Sequence, residues 1–253
     1  MAGGGLELSR ERDLSALFSD TFRVMRDHPG PLLVMSAAIV VPVQLIVSGI
    51  GLERLTSGYR GEVDRAEQLI PMILSLFVIA PLIAAAMIQM LREVSEGHRL
   101  SAPQCLQAAL DAFAPLFLAI LFMAAGIAVG LAALFLPGIY LLIRWFFVAQ
   151  CVVIEDKRGF DALARSGQLV RDNWWRVFAI VFLAQAVAAI PAILISVPME
   201  AAAKSADREV LRLAGDMLAS IATAPFVAIV TTLLFYDLRA RRERMLASGP
   251  SVP

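Results

Sequence analysis

Apolar residues in this chain run in unbroken blocks separated by short charged segments, with little striping inside the blocks. Six blocks approach or exceed the ~20 apolar residues that carry a helix across hydrocarbon. They cover 31–52, 69–91, 113–136, 137–154, 177–197 and 217–236. The runs are too long for strands, and a membrane β-barrel would alternate polar with apolar positions. The pattern therefore predicts an all-α fold, a polytopic bundle of six transmembrane helices. Pro137-Gly138 leaves almost no loop between the third and fourth blocks and predicts a tight hairpin there. Pro42, Pro71, Pro81, Pro191 and Pro225 lie deeper within blocks and predict kinks; Pro115 falls in a first turn, where no N–H is needed.

Striping appears only in the connecting segments. Leu14, Leu17, Phe18 and Phe22 recur at helical spacing, as do Leu106, Ala109, Leu110 and Phe113, and again Phe160, Leu163 and Leu169. Each set precedes a pair of apolar blocks. This predicts three amphipathic helices lying in the interface plane on one side of the membrane, and three helix-pair repeats; ordinary amphipathic linkers would give the same pattern. The chain then divides into an N-terminal amphipathic segment, 1–30, a six-span domain, 31–237, and a charged tail, 238–253. The third segment ends at Trp174 and Trp175, where charge stops and an apolar run begins at Val177. Tryptophans at such a seam anchor at headgroup level, and Arg176 can snorkel back to the surface.

Composition confirms the setting. The 253 residues are 59% hydrophobic and 17% charged, with a mean hydropathy of +0.74. Soluble chains average about 25% charged. Formal net charge is zero, and no basic face with interleaved aromatics argues for nucleic acid. The order of the blocks puts Arg54, Arg60, Arg65, Lys204, Arg208 and Arg212 on one side, with Arg144 inside a block. The remaining 15 of the 22 Lys and Arg residues fall on the other. That bias predicts both termini cytoplasmic. The first residues lack the basic and apolar regions of a cleaved signal, so the first span is expected to direct insertion. Cys105 and Cys151 are too few for a disulfide framework, and near the cytoplasmic face they are expected to stay reduced.

Few residues suggest chemistry. Arg144, a charge inside a span, either pairs in the bundle or binds a lipid phosphate or anionic substrate, or else snorkels to the outer surface beside Trp145; Asp216 is the partner expected for it. Gln44, Gln89, Gln150 and Gln185 either bond between helices or line a polar path. Gly126 and Gly130 form a GxxxG, and Ala184, Ala188 and Ala192 a small-residue stripe; both permit close helix packing. Glu155, Arg165, Asp237 and Arg239 all fall at the cytoplasmic ends of spans or in the third amphipathic segment, and are expected to form an ion-pair network. No HExxH, no intramembrane Asp pair, no phosphate loop and no metal-ligand spacing occurs, so neither catalysis, nor a metal, nor a cofactor is expected.

Glu155, Gly159, the run Ala162-Leu163-Ala164-Arg165-Ser166, Leu169-Val170-Arg171, Trp174 and the closing Tyr236-Asp237-Leu238-Arg239 together resemble a known family. They resemble the membrane domain associated with some bacterial glycerophosphoryl diester phosphodiesterases and its stand-alone, largely uncharacterised relatives. The resemblance rests on motifs in about the last half of the chain and on helix pattern in the rest. It implies a six-span helical domain in the bacterial inner membrane. It implies no catalysis, because the phosphodiesterase activity of fused members resides in a separate soluble barrel, for which this chain has no room. The expected function is lipid or membrane-protein binding at the cytoplasmic face. Arg144, Arg165, Arg171, Trp174, Trp175 and Arg176 are its expected contacts, anionic headgroups its expected partners, and the oligomeric state is left open. The alternative is a small transporter or channel built on Arg144 and the glutamines.

Overall fold

The computed structural model describes residues 11–49, 77–78, 80–96, 102–133, 135–206 and 208–247. Among these residues the structure is helical and contains no strand. Ten α-helices follow in order: α1 Leu14–Asp27, α2 Pro29–Gly49, α3 Ala80–Ser95, α4 Ala102–Asp111 and α5 Phe113–Ala133. After these come α6 Phe135–Arg144, α7 Val148–Glu155, α8 Gly159–Val170, α9 Trp174–Ala206 and α10 Glu209–Ala247.

Local chemistry sets the boundaries. Asp13 caps α1, its carboxylate accepting the Ala16 N–H at 2.8 Å. His28 stops that helix, and Pro29 starts the next at an 88° angle. α7 ends at Asp156, which adopts a left-handed conformation (φ +49°) while the Lys157 N–H reaches back to the Cys151 carbonyl. Gly159 then takes φ +51°, which a residue without Cβ adopts freely. α9 and α10 outrun the apolar blocks that predicted them. Ion pairs one turn apart, Asp237–Arg241 and Arg239–Glu243, extend α10 into the charged tail.

α10 is the centre of the molecule. From Pro225 to Leu238 all but Val227 are buried, with α1, α2, α3 and α9 packed around it. α9 and α10 form a long hairpin, closed at its far end by Gly215, where a Cβ would lie 2.6 Å from that of Met199. α5 and α6 form a second hairpin. Its glycines interlock: a Cβ on Gly130 would lie 3.2 Å from the Gly138 Cα, and one on Gly126 would strike the Trp145 ring at 2.5 Å. The GxxxG is thus an intramolecular packing surface.

Four segments are long and apolar enough to cross a membrane: Phe113–Ala132, Leu136–Glu155, Trp174–Ala206 and Val210–Ala247. α1 and α2 make a fifth if the bent pair is one span. Large apolar side chains stand exposed along α9, among them Phe182, Ile190, Ile193, Leu194 and Val197. So continuous an apolar surface is a lipid-facing one, and the chain has the build of a multi-pass membrane protein. The first block is described only as far as Gly49, and of the second, 69–91, residues 69–76 and 79 lie outside the described residues.

Three expectations change. α5 ends at Ala133 and α6 begins at Phe135, so Pro137 sits harmlessly in the first turn of α6 and not between the two helices. The fourth block is broken at 145–147, where backbone bonds shorten to Phe146 N–H to Ile143 and Val148 N–H to Trp145. Finally, α1 does not lie crosswise to the spans. The Arg12 N–H is bound to Asp237, while Phe18 and Phe22 meet Phe226, eleven residues earlier. That is about 16 Å along a helix, so α1 runs back alongside α10.

Candidate functional site

The third amphipathic segment is the best-built part of the molecule. α8 docks on α5, α6 and α7 through its motif residues, burying Ala162, Leu163, Ser166, Gly167, Leu169 and Val170. Arg165 donates to both carboxylate oxygens of Glu155, from Nε at 2.6 Å and Nη2 at 2.8 Å. That hydrogen bonding raises the Arg165 pKa above its ordinary value. The Ser166 hydroxyl repairs the break between α6 and α7. It donates to the Arg144 carbonyl at 3.0 Å and accepts the Phe147 N–H at 3.1 Å, supplying partners where the helix ladder stops.

Beyond α8 the chain turns at Arg171–Asn173 and starts α9. Here Trp174 is fixed between neighbours. Its indole N–H donates to the Tyr140 carbonyl at 3.3 Å, and its ring stacks on Tyr140 and on Phe178. Trp175 stands edge-on to Trp174 and is 76% exposed. An open cleft of about 990 Å³ lies between this corner and the start of α6. Leu136, Pro137, Ile139 and Tyr140 border it on one side, and Arg171 to Arg176 on the other. Arg171 and Asp172 make no hydrogen bond or ion pair among the described residues. The first-turn N–H groups of α9 add positive potential on that side.

Arg176 joins the cleft to a second assembly. Asp237, fully buried, accepts the Arg12 N–H at 2.7 Å, Arg241 Nε at 2.9 Å and Arg176 Nη2 at 3.1 Å. The Arg12 carbonyl accepts Arg176 Nη2 at 2.6 Å and Arg241 Nη2 at 3.1 Å. The Arg12 side chain, also buried, bonds Asp20 at 3.0 Å. The backbone of Arg12 is therefore gripped at both its N–H and its carbonyl, and Glu11 adds an ion pair with Arg244 at 3.1 Å.

The residues singled out from sequence thus sort into three places. Arg171, Trp174, Trp175 and Arg176 meet at the cleft. Glu155 pairs with Arg165, which leaves that arginine committed to a carboxylate. Asp237 anchors the arm, whereas Arg239 pairs with Glu243, so the four-residue network exists as separate clusters. Arg144 corrects a larger expectation. Its expected place is either within the bundle, paired or holding an anion, or at the outer surface beside Trp145, with α8 on the inner face. Yet its Nε would lie 2.8 Å from a Cβ on Gly167, and its guanidinium sits over the Tyr140 ring. Arg144 and Gly167 of α8 therefore lie side by side, at the level where the Ser166 hydroxyl bridges the backbone of Arg144 and Phe147. Asp216, next to Gly215 at the far end of the α9–α10 hairpin, forms no ion pair with it. Gln150 donates to Thr231 at 3.4 Å, whereas Gln185 is exposed on α9; these two glutamines share no lining. Tyr140, Asp172, Ser166, Arg12, Asp20 and Arg241 were not foreseen. In sequence, Ser166 stands out as a motif residue without a role, and the one-turn spacing of Asp237 and Arg241 signals a pair.

The model of a family described as Uncharacterised protein family (UPF0259) matches residues 67–223. Nothing in that match links the chain to the glycerophosphoryl diester phosphodiesterase membrane domain. Neither a curated protein nor a solved structure matches.

Proposed function

The chain belongs to that uncharacterised family, and on this premise we propose that it is a six-span, non-catalytic protein of the bacterial inner membrane that binds anionic phospholipid at its cytoplasmic face. The observation that carries this reading is the cleft, where an uncommitted arginine, a half-tied arginine and an exposed indole border an apolar wall. That combination suits an amphiphile. Arg171 meets the phosphate, Trp175 lies at the level of the glycerol backbone, and the α6 residues meet the first acyl carbons. A volume near 990 Å³ sits at the upper end for small-molecule pockets, and the openness of the site fits a ligand whose tail stays in the bilayer. The positive-inside bias and the family resemblance support the location and the span number.

Native mass spectrometry tests the reading, with protein released from nanodiscs of phosphatidylglycerol or phosphatidylcholine. Wild type should retain phosphatidylglycerol preferentially. Arg171→Ala should weaken retention about fivefold, since a headgroup contact of one arginine contributes roughly 1 kcal/mol. Equal retention by both proteins, or no preference between the lipids, overturns it.

A further inference from the structure

Arg176 has two employers, the cleft and the N-terminal arm. From this we infer that an anionic headgroup in the cleft loosens the arm, so that lipid occupancy is transmitted to the N-terminal segment through one guanidinium. The inference rests on the cleft being a lipid site. The geometry is specific. Arg176 Nη2 supplies one of the two bonds to the Arg12 carbonyl and one of the three to Asp237, while its Nε, buried, has no partner. The same residue borders the cleft beside Arg171. A guanidinium has five N–H donors in a rigid plane, so turning it toward a phosphate takes it away from the arm.

The exchange leaves nothing bare. Asp237 keeps Arg241 and the Arg12 N–H, and the Arg12 carbonyl keeps Arg241. A phosphate arriving at the cleft therefore competes with a grip that survives in weakened form. The arm loosens, and the core around α10 stays intact. Reciprocity follows: whatever holds the arm more firmly weakens headgroup binding by the same factor. Arg23, Arg244 and Glu11 surround the arm but do not border the cleft, which leaves Arg176 as the connection between the two.

Tryptic cleavage after Arg12 reports the arm, because the bond is protected while Arg12 is buried. Cleavage after Arg158, in the exposed turn following α7, serves as the internal standard. Full-length wild type in phosphatidylglycerol nanodiscs should be cut after Arg12 at least about fivefold faster, relative to Arg158, than in phosphatidylcholine nanodiscs. Arg171→Ala, which does not touch the arm, should abolish most of that difference. Lipid retention is measured on the same samples. If phosphatidylglycerol is retained while the cleavage ratio stays constant, the coupling is wrong and the lipid site stands. If no lipid is retained, both fall. If Arg171→Ala keeps the full acceleration, the signal does not come from the cleft and the inference is overturned.

Discussion

The most consequential single residue is Asp237, a carboxylate buried without exposure at the foot of the central helix. A buried charge is tolerable only with partners, and this one has two guanidiniums and a backbone N–H. Asp237→Ala would leave Arg176, Arg241 and the Arg12 peptide facing an empty position, a loss of about 3–5 kcal/mol. Arg239→Ala, two residues on, removes a one-turn pair in the exposed part of α10 and should cost under about 0.5 kcal/mol. SDS-titrated unfolding of the two variants against wild type checks the contrast; similar losses would mean the hub contributes no more than a surface pair. In sequence both residues sit in one short charged motif, Asp237-Leu238-Arg239, and look equivalent. The difference arises from a partner 225 positions away, and no local pattern encodes that distance.

Elements were far more readable than their partners. Block length located the four segments long and apolar enough to cross a membrane, because continuous apolar sequence has few alternatives to a helix in lipid. The break at 145–147 escaped, since its cause is a hydroxyl on another helix, Ser166, and not a proline or glycine in the run itself. The amphipathic segments announced themselves as helices by their striping, but striping says which face is apolar and not what covers it: α10 covers α1, while α5, α6 and α7 cover α8. The α5–α6 hairpin is the clearest test of packing at this scale. A Cβ on Gly138 would fall 2.3 Å from Leu131 Cδ2 and 2.9 Å from the Leu131 backbone nitrogen. The side chain can swing away, but the backbone cannot. Gly138→Ala should therefore part the two helices and cost about 1–3 kcal/mol. Gly30→Ala, in the first turn of α2 with nothing within 4 Å, should be neutral or slightly stabilising. Equal melting temperatures for Gly138→Ala and wild type in one detergent would show that the hairpin is not tightly interlocked.

For the whole molecule, the α9–α10 hairpin sets the ruler. Gly215 and Asp237 are 22 residues apart on one helix, about 33 Å at 1.5 Å per residue, close to the thickness of a hydrocarbon core. The Arg176–Asp237 hub and the Gly215–Met199 contact thus mark its two boundaries. Glu11 pairs with Arg244, so the described start and the charged end of the chain lie together at the hub boundary. Arg171, Arg176, Arg239, Arg241 and Arg244 belong to the segments at that boundary, and the positive-inside rule predicts that it faces the cytoplasm. Single cysteines read the orientation directly. Ser205, exposed in the last turn of α9 beyond the Gly215–Met199 contact, should label with a membrane-impermeant maleimide in intact cells once changed to cysteine. Ser15→Cys, exposed on α1 beside the hub, should label only after permeabilisation. Cys105 and Cys151 are buried and contribute little background. Labelling of Ser15→Cys alone in intact cells would turn the molecule over and move the cleft to the outer leaflet. Labelling of both would break the shared-boundary geometry, because an arm clamped to Asp237 cannot lie on the same side as the far end of the hairpin.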